Sequence, residues 1–93
     1  MDTNPHAGEP IDADEERRLD VALGSELRGL RSKRRMNQDQ LAAASGVSKR
    51  TIIRLEMGER PATMAQLYRL AKALGVRPSV IIDAAESEVI VSE

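Results

Sequence analysis

Cysteine, tryptophan and phenylalanine are absent from the 93-residue chain, and Tyr68 is its one aromatic residue. Without cysteine there is no disulfide framework and no thiolate metal site, which fits a reducing compartment. Without aromatics the core has to come from Leu, Ile, Val, Met and Ala, a set that suits packed helices. His6 is the single histidine. It stands among Pro5, Gly8 and Pro10, in a segment too polar to offset its ordering entropy, so Met1 to Pro10 is expected to be disordered. No run nears the roughly 18 consecutive apolar residues of a membrane span. The acidic stretch Met1 to Asp20 has no apolar core of a secretory signal. There is no glycine-rich phosphate loop after a strand and no inward-facing carboxylate pair, so no enzyme activity is expected. The expectation is a soluble cytoplasmic protein without metal or cofactor. One small domain is expected, with no second domain to sense a small molecule.

What the chain does have is segregated charge. The formal net charge is −1, yet residues 1–20 carry seven acidic and two basic groups. Residues 21–83 carry five acidic and twelve basic groups, and residues 84–93 three acidic and no basic ones. The chain therefore divides into an acidic arm (1–20, partly disordered), a basic domain (21–84) and an acidic tail (85–93). A basic domain between acidic ends fits a polyanionic partner, and fits a well-solvated surface too.

Helical periodicity starts near the end of the arm. Leu19, Leu23, Leu27 and Leu30 lie on one helical face. The first helix is expected to include Leu23 to Arg34, with a start anywhere between Asp14 and Val21. Asn37 and Gln40 have the spacing of a capping box, which places a second helix from about Gln38 to Ser45. Gly46 supplies its left-handed end. Ser48 caps a third helix from about Lys49 to Met57, so a very short turn joins the second and third helices. Thr63 and Gln66 form a second capping-box pair, before the apolar stripe Leu67, Leu70, Ala71 and Leu74. Pro78 opens a fifth helix. The sum is an all-α, compact five-helix bundle.

Two short helices joined through a glycine turn mark a helix-turn-helix. On a wheel of about 100° per residue, Ile52 and Leu55 share the inner face of the third helix, with Val47 packing at its start. Lys49, Arg50, Ile53 and Arg54 share the outer face. Arg50 has the geometry to donate bidentately to a guanine, and Lys49 to reach guanine acceptors as a point charge. Ile53 suits a thymine methyl, and suits equally a partner contact or a tolerated exposed side chain. Gln38, in the first turn of the second helix, is placed to bond a phosphate.

The run Asn37-Gln38-x-x-Leu41-Ala42-x-x-x-Gly46-Val47-Ser48-x-x-Thr51-Ile52-x-x-Leu55-Glu56-x-Gly58 resembles the Xre family, which includes the phage repressor and Cro proteins. Leu67-x-x-Leu70-Ala71-x-x-Leu74-Gly75-Val76 resembles that family's fourth helix. The resemblance covers about residues 23–83. It implies a lambda-repressor-like fold and a transcriptional regulator, a repressor, that binds an inverted-repeat operator in double-stranded DNA as a homodimer. It also implies that Lys49, Arg50, Ile53 and Arg54 read bases, that Asn37, Gln38, Ser48 and Arg60 contact phosphate, and that Arg31 and Glu56 form a structural salt bridge. Ile53 departs from the family, which more often has a polar residue there. The other reading on the same fold is a protein-interaction module, an antitoxin or accessory subunit. For a two-fold contact the sequence offers Val80-Ile81-Ile82 and Val89-Ile90-Val91.

Overall fold

A computed structural model of the chain describes residues 8–92. Most of the segment expected to be disordered, His6 included, lies outside the described residues. Five α-helices follow in order: α1 (Ala13–Lys33), α2 (Gln38–Ser45), α3 (Lys49–Glu56), α4 (Met64–Leu74) and α5 (Pro78–Ser92). Among the described residues there is no strand.

α1 starts earlier than the apolar periodicity suggests. Asp12 caps it, accepting the Glu15 amide at 2.8 Å. Asp14, Glu15 and Glu16 fill the first turn, and Arg31 and Lys33 the last. Both charge placements favour the helix dipole. The last eight residues of the acidic arm, 13–20, are thus helix. α1 also ends without a glycine. Arg35 itself adopts a left-handed φ of 57°, and the Met36 amide turns back to the Arg31 carbonyl at 3.1 Å. For a residue with a Cβ that conformation costs about 1 kcal/mol.

The main core joins Leu27 of α1, Leu41 of α2, Ile52 and Leu55 of α3, Leu67, Leu70 and Leu74 of α4, and Ile81 of α5. A second cluster lies beyond it, where Ala22 of α1 meets Ala85 and Val89 of α5, flanked by Leu19 and Leu23. Early α1 thus packs on late α5. Ile81, Ala85 and Val89 recur every four residues, one face of a helix. The acidic segment 85–93 is therefore helical as far as Ser92 and contributes to a core. No helix among the described residues is long and apolar enough to cross a membrane.

Two glycines of α1 have opposite surroundings. Gly24 is buried under the end of α3, whereas Gly29 is exposed and a Cβ there would meet nothing within 4 Å. Gly29→Ala should therefore stabilise the chain by about 1 kcal/mol through helix propensity and reduced unfolded-state entropy. Thermal unfolding checks it: an unchanged or lower midpoint would mean that the Gly29 backbone serves a purpose beyond helix formation.

Candidate nucleic-acid interface

The interface is built on the α2–turn–α3 unit, and local hydrogen bonds fix its shape. Asn37 Oδ1 accepts the Gln40 amide at 2.7 Å while Gln40 Oε1 accepts the Asn37 amide at 2.8 Å, closing the capping box. Gly46 ends α2 in the left-handed region at φ 74°, where its amide still reaches the Ala42 carbonyl. Buried Ser45 accepts the Val47 amide at 3.1 Å, which ties the turn to the helix before it. Ser48 then caps α3, accepting the Thr51 amide at 3.2 Å and donating its hydroxyl to Thr51 Oγ1 at 3.0 Å.

α3 is divided as its wheel requires. Ile52 and Leu55 are 1% and 2% exposed, and Val47 is buried at the turn. Lys49, Arg50 and Arg54 are exposed on the opposite side. Ile53 is half-buried. It lines a groove shared by α1, the start of α2 and α3, together with Arg28, Gln38 and Met57. Lys49 Nζ lies 3.2 Å from Asp39 Oδ1, a pair that bridges α3 and the first turn of α2.

Behind this face sits a charged network. Arg31 Nε donates to Glu56 Oε2 at 2.7 Å and its Nη2 to Oε1 at 2.9 Å, a bidentate pair. Its remaining Nη1 donates to the Met36 carbonyl at 2.9 Å. Gln38 Nε2 donates to Glu56 Oε1 at 3.1 Å. Glu56 therefore binds α1 and the start of α2 to the end of α3 with three hydrogen bonds. The Glu56 side chain is 4% exposed and that of Arg31 14%. The hydrogen bonds to Glu56 hold the Arg31 guanidinium above its ordinary pKa, with the carboxylate's charge adding to them against the opposing effect of burial. No buried side-chain polar atom of the described residues lacks a partner.

All but one of the residues expected to contact DNA or brace the site come together. Asn37, Gln38, Ser48, Lys49, Arg50, Ile53 and Arg54 all lie on the α2–turn–α3 unit, and Arg31 and Glu56 brace it from behind. Arg60 is partly buried in the connection between α3 and α4. Arg34, which caps the C-terminal end of α1, has a structural partner, donating to the Leu74 carbonyl at 2.9 Å. Arg28 was not singled out; its signal is a position one turn before Arg31 on α1.

The helix-turn-helix family model matches residues 27–81, more than half of the chain. The chain belongs to that family. The helix-turn-helix match runs from the middle of α1 to the first turn of α5, so the cluster of Ala22, Ala85 and Val89 lies outside the matched residues. An uncharacterized HTH-type transcriptional regulator of Sinorhizobium fredii (strain NBRC 101917 / NGR234) is 41% identical over 54 residues, 58% of this chain and 70% of that one. Among solved structures, the clp gene regulator ClgR from Corynebacterium glutamicum superposes with a TM-score of 0.74 at 28% identity. The match covers 80% of this chain and 79% of that one. The restriction-modification controller protein C.AhdI from Aeromonas hydrophila gives a TM-score of 0.65 at 31% identity, covering 67% and 94%.

Proposed function

We propose that this helix-turn-helix protein is a cytoplasmic transcriptional repressor that binds an inverted-repeat operator as a homodimer. The observation that carries this is α3 itself. Its inner face is locked into the core by Ile52 and Leu55, and its outer face presents Lys49, Arg50 and Arg54 to solvent. A short, rigid helix with an outward basic face suits the major groove. In this arrangement Arg50 donates to guanine O6 and N7, Lys49 and Arg54 reach neighbouring base edges, and Ile53 meets a thymine methyl. Gln38 spends one amide N–H on Glu56 and keeps a second for a phosphate oxygen. Asn37 uses its carbonyl oxygen in the cap and keeps its NH2 for the same purpose. Ser48 and Arg60 complete the phosphate contacts.

A dimer supplies two such helices, and a single small module rarely makes enough specific contacts alone. Of the two apolar runs suited to a two-fold contact, Ile81 and Val89 are buried within the chain, while Val80, Ile82 and Ile90 remain exposed. Among the residues whose side chains are described, Val80, Ile82 and Ile90 are thus the apolar groups that α5 leaves open to a partner.

Selection of binding sites from random duplex DNA tests the proposal. The expected result is an inverted repeat bound about a thousandfold tighter than a scrambled duplex. Arg50→Ala should then weaken binding to that site by about 5- to 150-fold and relax one base position in each half. Uniform binding to all sequences that disappears with added salt would leave only attraction to phosphate. The protein-interaction module would then be the better account.

A further inference from the structure

Lys49, Arg50 and Arg54 share one face of α3, but they are not held alike. Arg50 and Arg54 have no ion-pair partner among the described residues. Lys49 has one, with its Nζ 3.2 Å from Oδ1 and 3.3 Å from Oδ2 of Asp39. The two side chains are 49% and 72% exposed. A pair so open to water adds little to the stability of the fold. Its position is more telling than its strength. It spans the turn of the helix-turn-helix, joining the first residue of α3 to the first turn of α2, where the backbone of a DNA duplex would come closest under the proposed function.

We infer that Asp39 is a specificity-determining residue: it pairs with Lys49 and keeps that ammonium from binding backbone phosphate at sequences other than the operator. This rests on the DNA-binding role proposed above. Non-specific binding is driven by neutralisation of phosphates and the release of their counterions. A lysine already neutralised by a carboxylate contributes little to that. Base readout is affected less, because an ammonium has three donors and only some are engaged by Asp39. The remaining ones can point at guanine acceptors while the pair holds the side chain over the outer face of α3. Asp39 therefore lowers binding to random DNA more than binding to the operator.

The test is a four-protein cycle on the full chain: wild type, Asp39→Asn, Lys49→Met, and the double variant. Each is titrated with a random-sequence 25-base-pair duplex and with the selected site at several salt concentrations. Both positions are exposed, so the fold should persist, and circular dichroism confirms it for each protein. Asp39→Asn should tighten binding to the random duplex at low salt by about threefold or more and add about one ion to the salt slope. It should change affinity for the selected site less, so the specificity ratio falls. In the Lys49→Met background Asp39→Asn should change random-duplex binding by less than twofold. Equal tightening in both backgrounds would reduce Asp39 to a general negative charge and overturn the inference. So would no tightening in either. A different failure, in which none of the four proteins binds either duplex, would overturn the DNA-binding role and this inference with it.

Discussion

Gly24→Ala should lower the stability of the chain by about 3 kcal/mol or more, the upper part of the range for overpacked cores. Helix propensity argues the other way, since alanine in a helix interior is favoured over glycine by about 1 kcal/mol. The surroundings of Gly24 decide the sign. A Cβ there would fall on the Leu55 carbonyl oxygen and within 2.9 Å of the Glu56 carbonyl oxygen. Both are backbone atoms of the last turn of α3, so no rotamer change relieves the clash. α1 and α3 would have to move apart, opening the core around Leu27, Ile52 and Leu55 and disturbing the bidentate contact of Arg31 with Glu56. For a domain of this size the loss corresponds to a fall in melting temperature of about 12–24 °C. Gly29→Ala, one and a half turns along the same helix, is the internal control, because it carries the same propensity gain without the contact. Thermal unfolding of the two variants side by side should give shifts of opposite sign. A melting temperature for Gly24→Ala equal to or above that of the parent would mean that α1 and α3 can separate cheaply, and that the close approach is not what holds α3 in place.

Gly24 also illustrates which parts of the molecule can be read from sequence. Features set by residues three or four apart were legible: the Asn37–Gln40 and Thr63–Gln66 capping boxes, the Ser48 cap, the glycine end of α2 and the two-faced character of α3. Each follows from backbone groups that must find partners nearby. The Arg31–Glu56 pair, 25 residues apart, was reached through family resemblance rather than through local chemistry. The start of α1 was obscured because Asp12 and Asp14 are both competent caps. Its end was obscured because Arg35 takes a conformation usually left to glycine. The extent of α5 was hidden by apolar residues on more than one face, Val80, Ile82 and Ile90 beside Ile81 and Val89, which blur the period of the buried row. Two contacts between α2 and α3, Gln38 with Glu56 and Asp39 with Lys49, depend on how the two helices sit against each other. That placement is set by packing of the whole bundle, and no spacing along the chain encodes it.

The other large effect is expected at Glu56. Glu56→Ala should cost about 3–5 kcal/mol, because it leaves the largely buried guanidinium of Arg31 without its carboxylate. Two further losses accompany it. Gln38 loses the acceptor for its Nε2, and the end of α3 loses its attachment to α1 and α2. Because both partners are shielded from solvent, the loss should change little with added salt, unlike that of an exposed pair. Glu56→Gln, which keeps the shape and an acceptor oxygen, should fall between wild type and alanine. Replacing the pair together, Arg31→Met with Glu56→Leu, should recover most of the stability, since apolar residues of similar size often substitute for a buried ion pair at no net cost. Function should not follow stability in that double variant. With no carboxylate at position 56, Gln38 is free to rotate, and the end of α3 is held by packing alone. Operator affinity should stay reduced even where the double variant is fully folded. Urea unfolding and DNA titration on the same four proteins separate these effects. A cost below about 1 kcal/mol for Glu56→Ala would place the pair with ordinary surface ion pairs. Full operator affinity in the folded double variant would mean that Glu56 serves the fold only and does not position Gln38 for phosphate.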